Sequence, residues 1–372
     1  MRVSNVCAGC YWRPPTDVGP QVWVINHLTK ILFSYVLRSD FTVNYKLLNF
    51  VTTRVPAQRN SKNGVDTVDI TLDASTGVWC RVFVPTWVDS SKKLPIMLYF
   101  HGGGFALFSP DLKEYDAHCR HLSKRFDVIV VSVAYRLAPE HKRPAAYEDG
   151  FMALEWVKSQ ANAPNEDFPS KSADFSKVFL AGDSAGGNLA HHVAVRAGAS
   201  DLAPISVVGI ILLQPFFGGM ERTVSEIQYK NGTLNKLDEM DWYWRAFLPS
   251  GEDRDHPSSN VCGPKSPAFL SMNLSKILVI AGGKDPLRDR QIQYAEAMQS
   301  AGKECKLALY EKAFHGFYLF RGVKATTLLY DELDEFINPA TEGRNSSVAG
   351  PTAANDTPKA NNASFLTRMM SW

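Results

Sequence analysis

Short apolar runs of strand length recur along the middle of the chain, and stretches of helical periodicity separate them. A run of about four to eight apolar residues between turn signals is typical of a strand buried on both faces. Such runs lie at residues 66–72, 78–85, 95–100, 127–133, 177–182, 207–213, 276–281 and 305–311. Because strands that alternate with helices indicate a mostly parallel sheet, the pattern predicts an α/β fold whose central sheet is flanked by helices.

Composition bounds the size and the partners of this fold. The 372 residues, 45% of them hydrophobic, are enough for one large α/β domain with additions. The formal net charge of +2 gives no case for nucleic acid or an anionic membrane as a partner. Residues 1–60 hold seven Lys or Arg against two acids. We interpret this excess as a solvated rim, and a face that docks a partner protein is the alternative.

One turn in the pattern carries candidate chemistry. The apolar run 178–181 leads into Gly182-Asp183-Ser184-Ala185-Gly186, and the helical stretch 188–195 follows. Gly-x-Ser-x-Gly between a strand and a helix is a nucleophile elbow, which raises the serine hydroxyl above the sheet. Small residues are needed on both sides because larger ones would collide with the neighbouring strand and helix. The new helix also directs its N-terminal dipole at developing negative charge, so Ser184 is the predicted nucleophile.

Backbone donors for an oxyanion are predicted in a glycine loop. His101-Gly102-Gly103-Gly104 follows the strand-like run 95–100. Without Cβ atoms in the way, backbone N–H groups of such a loop can approach a ligand closely. The N–H groups of Gly103 and Gly104, with that of Ala185, are the predicted oxyanion hole. A flexible glycine turn is the alternative reading of the loop alone.

A serine nucleophile also needs a base and a group that orients the base. The predicted orienter is Asp285, in the loop after the strand-like run 276–281, because ligands of α/β sheets gather at the carboxyl ends of the strands. The predicted base is His315, in the loop after the last strand-like run. The order Ser, Asp, His is the one that this architecture uses.

Other acids and histidines are assigned structural roles. Asp289 is the alternative orienter, but it falls in a first helical turn, where an acid usually complements the helix dipole. His191 and His192 lie on the helix behind the nucleophile, and His101 belongs to the glycine loop. We expect all three histidines to be structural.

The glycine loop and the elbow together resemble the hormone-sensitive-lipase branch of the α/β-hydrolases, over about residues 65–338. Within that branch the chain is similar to the plant carboxylesterases and especially to their relatives, the soluble gibberellin receptors. The further segments that carry the resemblance are Tyr135–Glu140, Phe216–Thr223, Asp241–Trp244, Gly251–Pro257 and, for the receptor lid, Trp23–Pro56. The resemblance implies an α/β-hydrolase fold with a Ser-Asp-His triad.

Two positions depart from the receptors in this family. The resemblance implies that a receptor has an apolar residue in place of the triad histidine, whereas this chain has His315. It also implies a hormone-contacting tyrosine one turn before an arginine in the lid, where this chain has Ser34 before Arg38. Both departures favour turnover over hormone perception. The branch also includes isoflavonoid-type dehydratases, which can carry threonine at the nucleophile, so Ser184 favours the esterase.

These patterns divide the chain into three parts. Residues 1–65 are predicted to form an N-terminal lid over the pocket, because apolar positions recur at helical spacing between Trp23 and Val36. A helix docked elsewhere on the core is the alternative. Residues 66–338 are the predicted catalytic domain, with an aromatic-rich cap insertion at about 214–262 that lines the pocket or packs in the core. Residues 339–372 are predicted to be a disordered tail.

Cysteine usage and the absence of targeting patterns bear on location. Cys7 and Cys10 are the one close pair among six cysteines and have no second pair, so we expect neither a metal nor a redox site there. Cys119 and Cys305 lie in apolar-patterned segments and are predicted to be buried. No signal peptide or membrane span is recognisable. We expect a cytoplasmic protein, with the nucleus as the alternative location.

The sequence as a whole predicts a serine carboxylesterase that forms an acyl-enzyme and needs no metal or organic cofactor. Its substrate is expected to be a small or medium ester with apolar parts. A gibberellin-receptor-like binding protein, whose lid recruits a partner, and an isoflavonoid-type dehydratase are the alternatives.

Overall fold

Eight strands form the centre of the computed structural model. The structure describes residues 35–88, 92–232, 235–266, 272–320 and 323–339. The strands are β1 Val65–Asp73, β2 Val78–Pro85, β3 Leu94–Phe100, β4 Ile129–Ala134, β5 Ala173–Asp183, β6 Val207–Leu213, β7 Lys276–Gly282 and β8 Cys305–Tyr310. All eight predicted runs are therefore strands, with bounds that differ by a few residues.

The strands pair in one sheet in the order β1-β2-β4-β3-β5-β6-β7-β8. β2 pairs antiparallel with both β1 and β4, and every pair from β4 to β8 is parallel. The prediction of a mostly parallel sheet is confirmed. Because β3, β5, β6, β7 and β8 are parallel neighbours, their carboxyl ends lie along one edge of the sheet, where loops can bring distant residues together.

Both faces of the sheet are buried under helices. The helices are α1 Tyr45–Val51, α2 Lys113–Phe126, α3 Ala145–Gln160, α4 Ala185–Ala197, α5 Val224–Gln228, α6 Leu237–Phe247, α7 Arg288–Ser300 and α8 Lys324–Ile337, with a 3₁₀ turn at Phe317–Leu319. Alternate strand residues enter two separate apolar cores, one with α3, α4, α6 and α7 and the other with α2 and α8. Parallel strands with no polar face read as continuous apolar runs, which is why the sequence revealed them.

A smaller apolar cluster joins the first described residues to the edge of the sheet that carries the glycine loop. Val36, Val43 and Leu48 pack with Leu107 and with Trp242 of α6. The indole Nε1–H of Trp242 also donates a 2.6 Å hydrogen bond to the carbonyl oxygen of Arg38. Residues 36–48 therefore lie against both the glycine loop and α6.

Several predictions concern residues that the structure does not describe. The lid positions Trp23 to Leu32, the pair Cys7 and Cys10, Ser34, and the tail from residue 340 onward all lie outside the described residues. Within the described part, Cys119 and Cys305 are buried as predicted. None of the described helices combines the length and the apolar character needed to cross a bilayer.

Candidate active site

The turn from β5 into α4 holds Ser184 in a backbone conformation that few non-glycine residues adopt. Ser184 has φ +52° and ψ −117° and is largely buried. Its N–H donates to the carbonyl oxygen of Leu213 (2.9 Å), and its own carbonyl accepts from the N–H of Phe216 (2.8 Å). Non-glycine residues with positive φ are rare and cluster at functional sites, because the surrounding structure must offset the strain.

Glycine is required on both sides of this turn. A Cβ on Gly182 would lie 2.2 Å from the carbonyl oxygen of Gly186, and one on Gly186 would lie 1.9 Å from the carbonyl oxygen of Phe100. Both distances are far inside van der Waals contact, and both obstacles are backbone atoms that cannot rotate away. The start of α4 therefore packs directly on the end of β3.

The loops after β7 and β8 bring two further predicted residues to Ser184. The Nε2 atom of His315 lies 3.0 Å from Ser184 Oγ, and its Nδ1 atom lies 2.8 Å from Asp285 Oδ2. All three residues are largely or fully buried. The structure thus joins three residues that span 131 positions of the sequence into one continuous hydrogen-bonded relay.

The carboxylate of Asp285 is fixed by four donors. Its Oδ1 atom accepts from the backbone N–H of Leu287 (2.9 Å). Its Oδ2 atom accepts from His315 and also from the side-chain amides of Gln214 (3.0 Å) and Gln291 (3.2 Å). A fully buried carboxylate is stable only when such donors replace water. Asp285 is therefore held in one orientation toward the imidazole.

Electrostatics set the proton affinity of His315. Burial alone lowers the pKa of an imidazole, but the attraction and hydrogen bond of Asp285, with a smaller contribution from the charge of Asp183, raise the pKa of His315 above its usual value. A proton taken from Ser184 would therefore be held more firmly than by an isolated buried histidine. The arrangement can accept a proton at Nε2 while Nδ1–H remains bonded to the carboxylate.

The glycine loop leaves backbone donors unpaired beside the serine. Gly103 and Gly104 have φ +106° and +62°, so the loop needs glycine for its backbone as well as for space. The carbonyl oxygen of Gly103 accepts hydrogen bonds from the N–H groups of Ala106 and Leu107. Among the described residues, no acceptor pairs with the N–H groups of Gly103, Gly104 or Ala185. These are the three donors that the sequence suggested.

A buried carboxylate anchors the glycine loop. Asp183 accepts hydrogen bonds from the hydroxyls of Tyr99 and Tyr115 and from the N–H of Gly102, each at 2.9 Å. Tyr318 adds a longer bond of 3.3 Å. Burial raises the pKa of Asp183 to about 6, although the tyrosine hydrogen bonds lower it. Asp183, the residue before Ser184, therefore connects the glycine loop to the turn that holds Ser184.

The alternative acid lies apart from this relay. Asp289 accepts from the backbone N–H of Ser225 (2.7 Å) and pairs with Arg288. It makes no bond to His315 within the described residues. The structure therefore places Asp285, and not Asp289, against the histidine.

The other histidines also bond away from the serine. His101 Nδ1 lies 2.8 Å from the carbonyl oxygen of Gly102, and its ring stacks on Tyr135. His191 Nδ1 lies 2.9 Å from the hydroxyl of Tyr294. The expected structural role fits these contacts.

The aromatic residues of α6 divide between core and loop. Trp244 and Phe247 are buried and stack on Phe216 and Phe105 respectively, so they are core residues. Tyr243 instead covers the glycine loop, since a Cβ on Gly104 would lie 2.2 Å from its ring. Tyr243 is thus the aromatic residue of this helix that lies against the predicted oxyanion donors.

Sequence reasoning missed Gln214 and the anchoring role of Asp183. Asp183 lay inside the recognised motif, but its partners come from three other segments of the chain. Gln214 directly follows β6 and was assigned to the start of the predicted cap insertion. Gln214 could have been identified from its position, because it is a polar residue at the carboxyl end of a buried strand. The same criterion led to the prediction of Asp285.

Comparisons with known proteins place this site in context. The chain matches the family described as alpha/beta hydrolase fold over residues 97–319. Gibberellin receptor GID1C of Arabidopsis thaliana is 39% identical over 335 residues, which are 87% of this chain and 95% of the receptor. The 3-O-acetylpapaveroxine carboxylesterase CXE2 of Papaver somniferum is 36% identical over 294 residues, covering 76% of this chain and 91% of the enzyme.

The solved structures that resemble this chain include ester hydrolases. An esterase of Pyrobaculum calidifontis superposes with a TM-score of 0.64 at 29% sequence identity and covers 86% of this chain and 99% of its own. The chain is therefore similar both to hormone receptors and to ester hydrolases.

Proposed function

Because the chain belongs to the α/β-hydrolase family, as its motifs predicted, we propose that it is a serine carboxylesterase acting on small to medium apolar carboxylic esters. The observation that carries the proposal is the relay from Ser184 through His315 to Asp285, with contacts of 3.0 and 2.8 Å. A binding protein has no need of a general base, whereas hydrolysis requires one.

The geometry supports a two-step acyl transfer. Ser184 Oγ attacks the ester carbonyl while His315 Nε2 takes its proton, and Asp285 stabilises the imidazolium through Nδ1–H. The N–H groups of Gly103, Gly104 and Ala185 are assigned to the oxyanion, and each such donor is worth about 10²- to 10³-fold in rate. His315 then gives the proton to the leaving alcohol, and a water molecule activated by the same imidazole releases the acid.

The walls around the serine bear on the substrate class. Tyr243 covers the glycine loop, and it packs against the apolar core that contains Trp244 and Phe247. An apolar wall of this kind favours esters with apolar acyl or alcohol parts. The name of the relative CXE2 gives an acetyl ester, which supports a small acyl group.

The test is hydrolysis of p-nitrophenyl acetate, butyrate and octanoate by the wild type and by Ser184→Ala. We expect the variant to lose at least about 10³-fold in kcat, because it removes the nucleophile. Ser132→Ala, which changes a buried serine of β4, is the matched control and should keep wild-type turnover. Equal turnover by Ser184→Ala and the wild type would reject the assignment of the nucleophile.

A ligand-binding protein is the second candidate, and the observation that favours it is the 39% identity to gibberellin receptor GID1C over most of both chains. If the wild type hydrolyses none of the three esters, this candidate gains weight. Calorimetric titration with gibberellins and other apolar carboxylic acids then measures binding directly, and the expected result for a receptor is saturable binding that Ser184→Ala retains.

A further inference from the structure

Gln214 occupies an unusual place at the end of β6. It is fully buried, and its φ of +46° puts a long polar residue in the left-handed region. Its backbone N–H donates to the carbonyl oxygen of Ile280 on β7 (2.9 Å), which fixes the backbone beside the neighbouring strand. The side chain is thereby directed across the carboxyl ends of β7 and β8.

The amide of Gln214 contacts both partners of the serine. Nε2 donates to Asp285 Oδ2 (3.0 Å) and to the carbonyl oxygen of Phe314 (3.2 Å). Oε1 accepts from the backbone N–H of Gly316 (2.7 Å). Both amide hydrogens and the amide oxygen are therefore used. Phe314 and Gly316 flank His315, so one side chain holds the backbone on either side of the histidine and the carboxylate that faces its ring.

The amide of Gln214 lies close to the backbone at the end of β7. A Cβ on Gly282 would lie 2.4 Å from Gln214 Nε2, so glycine at the end of β7 admits the side chain. Gln291 offers a contrast, because its amide donates to Asp285 Oδ2 (3.2 Å) and to the carbonyl oxygen of Pro215, which does not flank His315. Among the described side chains, the amide of Gln214 bonds both Asp285 and the backbone that flanks His315.

We propose that Gln214 is a positioning residue that sets the spacing and orientation of His315 relative to Asp285, an inference that rests on the proposed esterase function. A neutral amide suits this role because it donates to the carboxylate without adding a charge that would compete with the imidazolium. His315 is then fixed at two points, its ring Nδ1 and its own peptide backbone. Gln214 acts through these groups and does not touch the ester.

The test shortens the side chain. Gln214→Asn keeps an amide, and asparagine tolerates positive φ better than most residues, so the backbone is retained. The amide withdraws by one methylene, about 1.5 Å. A misplacement of about 1 Å can cost about 10²-fold in rate, and we expect kcat to fall by about that factor while KM stays within about twofold.

A second readout does not depend on turnover. The proton between His315 Nδ1 and Asp285 Oδ2 should give a downfield proton resonance in the wild type, and in Gln214→Asn this resonance should broaden or disappear as the histidine loses its orientation. Gln160→Asn is the matched control, since Gln160 is a buried glutamine whose amide bonds only near its own helix. It should keep kcat, KM and the resonance, whatever its melting temperature.

The outcomes separate the two claims. If the wild type is active and Gln214→Asn keeps both kcat and the resonance, the positioning role is wrong and the esterase function stands. If the wild type is inactive, the esterase function fails, and the resonance alone decides whether Gln214 orients His315. If Gln214→Asn does not fold, Gly282→Ala is the second variant, because its Cβ would lie 2.4 Å from Gln214 Nε2 and 2.9 Å from the carbonyl oxygen of Ala313. It is expected to lower kcat similarly, and wild-type kcat in that variant would overturn the inference.

Discussion

The two sides of the relay are held by different kinds of interaction. Ser184 is fixed by close backbone packing, in which Gly182 and Gly186 leave no space for any side chain. Asp285 and His315 are fixed by hydrogen bonds, among them those of Gln214, which lies far away in the sequence. Packing of the first kind permits almost no substitution, whereas a polar network can be altered one bond at a time. The glycines that the Ser184 turn requires are therefore visible as a local sequence motif, whereas Gln214 on the base side comes from a separate segment of the chain.

The largest effect is expected on the base side, from Asp285→Asn. By analogy with other triads, kcat/KM should fall by roughly 10³- to 10⁴-fold. The acid limb of the pH–rate profile should also move to lower pH. Asp285 raises the pKa of His315 against the effect of burial, so without its charge burial lowers that pKa and the base stays neutral in more acidic solution.

The measurement is kcat/KM between about pH 5 and 9. Asp289→Asn is the matched control, because Asp289 bonds to Ser225 and Arg288 outside the relay, and its activity should stay within about twofold of the wild type. An acid limb that stays in place in Asp285→Asn would show that another group sets the pKa of the base.

On the nucleophile side, Gly186→Ala should act mainly through stability. The new Cβ would lie 1.9 Å from the carbonyl oxygen of Phe100, and neither backbone can move without disturbing β3 or α4. We expect a loss of about 3 kcal/mol or more in the free energy of unfolding, measured by urea denaturation. Gly77→Ala is the control, since its Cβ would meet no atom within 4 Å and its φ of +74° costs about 1–2 kcal/mol. Equal losses in the two variants would contradict the steric account.

Asp183 sits between the two sides, and its effect should be the smallest and depend on pH. Its folded pKa of about 6 lies above the value of 3.8 for an ordinary aspartate. The folded protein therefore binds the proton more tightly than the unfolded chain, and stability falls as pH rises from about 4 to about 6. Asp183→Asn lacks this titration. Between pH 4.5 and 7.5 its free energy of unfolding should shift relative to the wild type by about 2 kcal/mol in favour of the variant.

Urea denaturation of both proteins at the two pH values gives this difference directly. Stability curves that run parallel with pH would mean that the pKa of Asp183 is not raised in the folded protein. A decrease in kcat for Asp183→Asn at pH 7.5, without loss of stability, would in addition link this residue to the glycine loop.

The sequence predicted the fold well because a parallel sheet buried on both faces needs continuous apolar strands. The start of β5 was placed at residue 177 instead of Ala173, since Asp174 and Ser176 break the apolar run. The motif around Ser184 and the loop ends at Asp285 and His315 were also readable, because their positions follow from strand ends.

The rest of the site depends on geometry that the sequence does not encode locally. The role of Gln214 depends on its positive φ and on its contacts with Asp285 and Gly316, which lie 71 and 102 residues later in the chain. The division of α6 into core residues and Tyr243 depends on how the helix is rotated about its axis. Helical spacing shows that such a helix has an apolar face, but it does not show which neighbour that face contacts.

The order of the relay along the chain has a consequence for synthesis. The turn that holds Ser184 lies between β5 and α4, whereas His315 follows β8, which is the last of the eight strands in the sequence and lies at the edge of the sheet. Under the proposed mechanism, a nascent or truncated chain that stops before this loop has Ser184 without its general base and should hydrolyse esters far more slowly. Under the proposed function, ester turnover would therefore report that β8 and the loop that follows it are in place.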